Sequence, residues 1–345
     1  MKTRRVLLSS ALLASTCALA ACNPTVGVGG DPNSAVYGKA EPASSPASSK
    51  PVGTLVPFEA VTDLAAVGET LAVRSADSLA VGSAADFEED KATQISVDQK
   101  CGDLTASGKH FLLACGEKVL LIDPLKPDMP QELAVDEEQP ITVAAEASSG
   151  EVFVGSKDSL TIGVYRDGER ASDITVEAGS DQLISVPVSD GADGIVRVLR
   201  EDSTIQSLDW EKDRAGGRLR VGQGVGQIAG GEGTVVVASD TVGKRVAIYT
   251  ASDVIRLHQY GNTEGTPWAV AWDGERKLAW VTTTDNNLLH AYTVAAGVPE
   301  NVGTMETVAD AHNVAVLGDG TLVTASASGE GLQFITDPKL DQPPR

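Results

Sequence analysis

Side chains that serve metal and nucleophilic centres are scarce in this chain. Its four histidines, His110, His258, His290 and His312, fall in different repeats and cannot assemble a multi-histidine metal centre. Four cysteines occur in 345 residues, with no CxxC, CxxCH or Cys/His spacing, which removes c-type haem and structural zinc. No GxSxG, HExxH or phosphate-cradling loop is present, so no catalytic residue, metal site or cofactor is assigned. GQGVGQIAGG (222–231) looks like a dinucleotide fingerprint but lies between two strands, with no helix to follow. Cations are outnumbered too: 27 Lys and Arg stand against 48 Asp and Glu, for a formal net charge of −21. Nucleic acid is excluded on that balance, since its phosphates need basic side chains to neutralise them. The excess acid instead favours a solvated, self-repelling exterior. Helical periodicity of any length is absent as well.

What is present begins at the N-terminus. Lys2, Arg4 and Arg5 precede an acid-free apolar run (6–21) too short for a reliable transmembrane helix, and Leu19, Ala20, Ala21 and Cys22 follow as a lipobox. This leader resembles bacterial lipoprotein signal peptides. The resemblance implies a signal peptide over 1–21, acylation of Cys22 with palmitate-type chains, and attachment to the extracytoplasmic side of the cell membrane. Loss of the leader removes three positive charges and no acid, taking the formal charge from −21 to −24. Residues 22–53 then read as the lipidated cysteine and a disordered tether, because a Gly-, Pro-, Ala- and Ser-rich segment such as AEPASSPASSKPVG (40–53) cannot bury enough apolar surface to order itself.

From residue 54 the chain repeats. A short strand, a Gly- or Asp-containing turn and a stronger apolar strand recur every 40 to 44 residues or so, the length of a four-stranded propeller blade. The stronger strands are TLAVR (70–74), FLLAC (111–115), VFVGS (152–156), IVRVL (195–199), VVVAS (235–239), LAWVT (278–282) and LVTAS (322–326). The seventh unit lacks a fourth strand after LQFIT (332–336), whereas TLVPF (54–58) precedes the first as a surplus strand. The two cancel if the N-terminal strand closes the ring. The reading is an all-β fold, a seven-bladed β-propeller of four-stranded blades over 54–340, with Pro57 tolerated on an outermost strand. Cys101 and Cys115 flank a turn near Gly108 at similar distances. They are expected to face each other as a disulfide in the second blade.

The sixth unit, GTPWAVAWDGERKLAWVTTTDNNLLHAYTV (265–294), resembles the YVTN-type repeat of bacterial seven-bladed propellers, with Trp280, Val281, Thr282 and Thr283 at the motif positions. That class is close in fold to the quinoprotein amine dehydrogenase propellers. Together with the lipobox, the whole chain is similar to actinobacterial propeller lipoproteins. The resemblance implies a fold and supplies no reaction.

In a propeller, the loops entering the first strands gather on one face with the loops between second and third strands. The repeat places Trp268, His312 and Asn313 at first-strand starts. It places Asp240 and Asp285 in or beside the second-to-third-strand loops, and these five are the candidate ligand-binding residues. His312 there offers metal ligation or proton transfer, or else a hydrogen bond to a neighbouring blade. Trp268 offers a stacking platform, or a wedge between blades. TTDNN (283–287) offers oxygens for calcium, or a polar turn. His110 is expected on the opposite face. The function read from this is a membrane-anchored, extracytoplasmic binding or scaffold protein that uses a propeller face to recognise an envelope protein or a glycan. The alternative is a propeller enzyme, a metal-dependent lactonase-like hydrolase or a quinone-dependent dehydrogenase.

Overall fold

Short runs of β-branched and small apolar residues, broken by turns at Gly, Asp and Asn, build seven four-stranded antiparallel sheets. The computed structural model describes residues 38–48, 50–252, 254–295 and 297–341. The segment read as a signal peptide (1–21) and Cys22 lie outside the described residues. Blades 1 to 6 span 63–96, 104–134, 143–175, 182–220, 225–262 and 267–306. Blade 7 combines Ala311–Val316, Leu322–Ser326 and Leu332–Ile335 with the N-terminal strand Thr54–Val56, which pairs Thr54 with Phe334 and Val56 with Leu332. The fold is the expected seven-bladed β-propeller, closed by its own N-terminal strand.

The apolar core lies between blades rather than within them. Ile184, Val196 and Ile205 of blade 4 meet Val236 and Tyr249 of blade 5, and Leu332 and Phe334 of blade 7 meet Leu71 and Val73 of blade 1. Trp280, Val281 and Thr282 of the repeat motif are wholly buried, with the Trp280 indole N–H donating to Asp273 at 3.3 Å. The motif is therefore a packing signature. In the closing strand Val56 is buried and Leu55 is half exposed, so the sealing contact comes from Val56 and from Phe58 against Phe87, centroids 6.0 Å apart. Pro57 follows that strand instead of lying in it. Phe87 belongs to a short helix, Ala84–Glu88, which the repeat pattern does not reveal. Its start is set by a capping box between Ser83 and Asp86.

Cys101 and Cys115 form a disulfide, Cα atoms 4.1 Å apart. The loop it closes is short, so chain-entropy arguments give about 3 kcal/mol.

One expectation is overturned in part. Residues 38–52 are drawn as tether by composition, yet they lie as a strap on the face where the first strands begin, called here the upper face. The Gly38 amide donates to the Gln223 carbonyl at 3.2 Å, and Ala40 is buried. Ser45 brackets Asp310: its amide donates to the carboxylate at 3.3 Å and its hydroxyl accepts the Asp310 amide at 2.9 Å. Asn287 donates to the Pro46 carbonyl, Ser48 to the Thr307 carbonyl, and the Val52 amide to Glu306. The chain then reverses at Gly53 (φ +79°), where a Cβ would stand 2.1 Å from the Phe334 carbonyl oxygen, and enters blade 7. A segment too polar to fold alone is ordered here by borrowed partners.

Candidate functional site

The inner strands run down a central channel of about 310 Å³. One repeat position governs its upper end. At or near the start of the inner strand stand Asp63 in blade 1, Asp103 in blade 2, Gln182 in blade 4, Gln227 in blade 5 and Asn313 in blade 7, and all five line the channel. Arg200 reaches the same chamber from the loop after the second strand of blade 4. Lower down, the wall is made of small residues such as Ala66, Ala106, Ser185 and Gly230, with Trp272. The channel then opens on the lower face into a vestibule of about 760 Å³.

Several of these polar groups are fastened between blades. Asp63 accepts the Leu64 amide at 3.0 Å and the Leu104 amide at 2.7 Å, stitching blade 1 to blade 2. Gln182 acts as a backbone mimic, accepting from the Ile228 amide and donating to its carbonyl, each at 3.0 Å. Gln227 donates to the His312 carbonyl at 3.2 Å. Arg200 gives Nε to the Gly226 carbonyl at 2.7 Å and holds its guanidinium 5.9 Å from the Trp268 ring centre.

Others are not fastened. Asn313 is 4% exposed and its Nδ2 has no partner among the described residues; the Nε2 of His312 is equally buried and unpartnered. The nearest carboxylate to that nitrogen, Asp310, is 3.9 Å away, beyond hydrogen-bond reach. Burial holds the His312 imidazole below its usual range, with Asp310 opposing. The Asp103 carboxyl accepts no hydrogen bond among the described residues. Burial, then the charge of Asp63, push it up to about 8 against the pull of Arg200 and Arg74. Burial likewise raises Asp63 to about 6, although two amides and Arg74 oppose it. The two acids titrate as a pair, which holds about one proton near neutrality.

Of the five candidates, Trp268, His312 and Asn313 come together. Asn313 lines the channel, while Trp268 and His312, one repeat position earlier, set their rings 6.3 Å apart beside it. Asp240 and Asp285 do not join them. Asp240 is wholly buried and accepts the amides of Gln223, Gly224 and Gly243 at 2.8, 3.1 and 3.0 Å. Its other oxygen takes Arg245 at 2.9 and 2.7 Å. A Cβ at Gly222 or Gly243 would fall within 2.0 Å of that carboxylate, so the glycines exist to let it in. Five bonds leave no lone pair for a ligand. Asp285 accepts the Thr266 amide and hydroxyl at 2.6 and 2.8 Å. Burial would raise its carboxyl, but Thr266 and Lys244 outweigh it and hold it low. TTDNN is correspondingly a polar turn, with Asn286 donating to the Glu264 carbonyl. His110 lies on the lower face as expected, Nδ1 2.9 Å from Glu146.

Residue-by-residue reading missed Asp63, Asp103, Gln182, Arg200 and Gln227. For four of these the signal was there: DL (63–64), DL (103–104), QL (182–183) and QI (227–228) set a polar residue before an apolar one at or near the inner-strand start, as NV (313–314) does in blade 7. Arg200 has no such mark.

No protein-family model matches this sequence, and no curated protein does. Solved structures do. A chain of a mitotic checkpoint complex superposes with a TM-score of 0.65 at 15% identity, over 86% of this chain and 98% of that one. A chain of Kuenenia stuttgartiensis hydrazine synthase gives 0.62 at 13%, over 82% and 97%. The WD40 β-propeller domain of Doa1 gives 0.62 at 13%, over 84% and 98%. At such identities the likeness is one of fold. The class defined by fold and ring is a seven-bladed β-propeller.

Proposed function

We propose that this chain is a lipid-anchored, extracytoplasmic binding or scaffold protein, of the kind of the actinobacterial propeller lipoproteins with YVTN-type repeats. Its upper face recognises an envelope protein or a glycan. The anchor rests on the lipobox at Cys22. The recognition reading rests on one observation: at the mouth, beside the Trp268 ring, two buried polar atoms (His312 Nε2 and Asn313 Nδ2) have unfilled hydrogen-bonding capacity. The hydrolase alternative draws on Asp240 and Asp285, and both are engaged by loop amides and side chains.

Two measurements test this reading. Cys22→Ala is expected to move the protein from the membrane to the soluble fraction, or to leave it unprocessed; retention on the membrane after full leader cleavage would refute the anchor. Capture from solubilised envelopes by the lipidated chain is expected to be lost in the Trp268→Ala/His312→Ala double variant, with its melting transition intact. Equal capture by both would place recognition elsewhere.

A further inference from the structure

The chamber at the upper end of the channel has two unlike walls. Blades 1 and 2 contribute the carboxyls of Asp63 and Asp103. Asp63 already accepts two amides, so Asp103, whose carboxyl accepts none among the described residues, is the freer to meet a ligand. The donors stand on other blades. Among the described residues the Arg200 guanidinium has only its Nε engaged, on blade 5, and lies by Trp268 of blade 6. Asn313 of blade 7, whose buried Nδ2 has no partner among the described residues, lines the same space. Arg200 and Asp103 feel each other's charge without forming an ion pair within 4.0 Å.

With one proton between them, Asp63 and Asp103 carry a single negative charge, and opposite charges facing one small chamber without touching call for something between them. We propose that the channel binds a small zwitterion, an α-amino acid or a molecule of like size, with its ammonium group toward Asp103 and its carboxylate toward Arg200 and Asn313. A guanidinium with an amide beside it is a fitting carboxylate receptor, and charge-assisted hydrogen bonds are about twice as strong as neutral ones. The channel volume of about 310 Å³ suits one small molecule better than a polymer segment. A lone cation would be repelled by Arg200 and a lone anion by the charge that the acid pair retains. The small side chains below the chamber leave a path from the open vestibule on the lower face, so the ligand need not pass the strap. This site shares Asn313 with the face proposed for protein or glycan recognition, so its test turns on Asp103 and Arg200, which that reading does not use, and either can fail without the other.

Titration calorimetry on the full chain with glycine, L-alanine and L-serine is the test, with acetate, methylamine and glucose as comparisons. At least one of the three amino acids is expected to bind tenfold or more tighter than acetate or methylamine. Asp103→Asn and Arg200→Gln should each weaken that binding by about tenfold or more while the melting transition survives. Asp103 is half protonated near pH 8, so ammonium binding there should release a proton. The heat should then vary with the ionisation enthalpy of the buffer, and the variation should vanish in Asp103→Asn. Binding of glucose but of no amino acid would overturn the proposal, as would heat from none of the six, which would mean a channel holding water alone. The selectivity series on the unaltered chain decides the matter even if a variant fails to fold.

Discussion

Carboxylates crowd both ends of the channel but are used differently. At the lower mouth Glu146 accepts the Ser107 hydroxyl at 2.6 Å and faces His110. Asp193 accepts the Ser148 amide at 2.6 Å, and Asp273 takes Arg276 at 2.9 Å. Each of these acids ties a turn to a strand or a blade to its neighbour. At the upper end the Asp103 carboxyl accepts no hydrogen bond among the described residues and Asn313 has an idle donor, in a chamber that Arg200 also faces. The lower mouth is richer in acid and looks more like a site on a charge map. Partner counting reverses that ranking. A carboxylate whose lone pairs are filled holds a fold together; one left unfilled awaits something.

The contrast can be broken most severely at Asp240, the most heavily bonded acid of the upper face. Asp240→Ala would strand Arg245 and three amides, and a loss of about 3–5 kcal/mol in chemical denaturation is expected. A loss under about 1 kcal/mol would mean that water replaces the carboxylate freely. Removing residues 1–52 deletes the strap and leaves Gly53 onward. The cost expected is about 2 kcal/mol, modest for the bonds lost because the released segment regains its conformational freedom. An unchanged melting temperature would show that the strap is not held in solution. At the lower mouth Glu146→Gln should cost about 1–2 kcal/mol, as the bonds to His110 and Ser107 weaken.

Asp103→Asn should act in the opposite direction. The folded state holds the proton up to about pH 8, whereas the unfolded carboxyl releases it near 3.8. Stability therefore falls as pH rises through that window. The amide removes this dependence, so a gain of about 1 kcal/mol, or roughly 3 °C in melting temperature, is expected at pH 8.5, with none at pH 4. Equal melting at both pH values would show that the carboxyl is well solvated.

How much of this was legible in the sequence follows from the range of each interaction. The strands TLAVR and LVTAS coincide with observed strands residue for residue, because alternation and turn chemistry are local. The closing strand was legible from a mismatch between the two chain ends. The strap was not, since a composition argument asks only whether a segment can fold by itself. Ser45 and Ser48 need nothing but carbonyls and a carboxylate supplied by blades 6 and 7. Asp240 and Asp285 were drawn toward a ligand because a carboxylate in a loop shows its charge and not the amides it caps. Gly222, Gly224 and Gly243 were the visible hint in the case of Asp240.

The strap and the ring-closing strand are one uninterrupted piece of chain, and this has a mechanical consequence. Tension applied from the N-terminal side meets the hydrogen bonds at Gly38, Ser45, Pro46, Ser48 and Val52 one after another before any load reaches Thr54–Val56. Bonds loaded in series break singly and at low force, and each break lengthens the free chain. A pull on the N-terminus would thus pay out slack along the upper face first. The seam of blade 7, on which the integrity of the ring depends, would be the last to feel it.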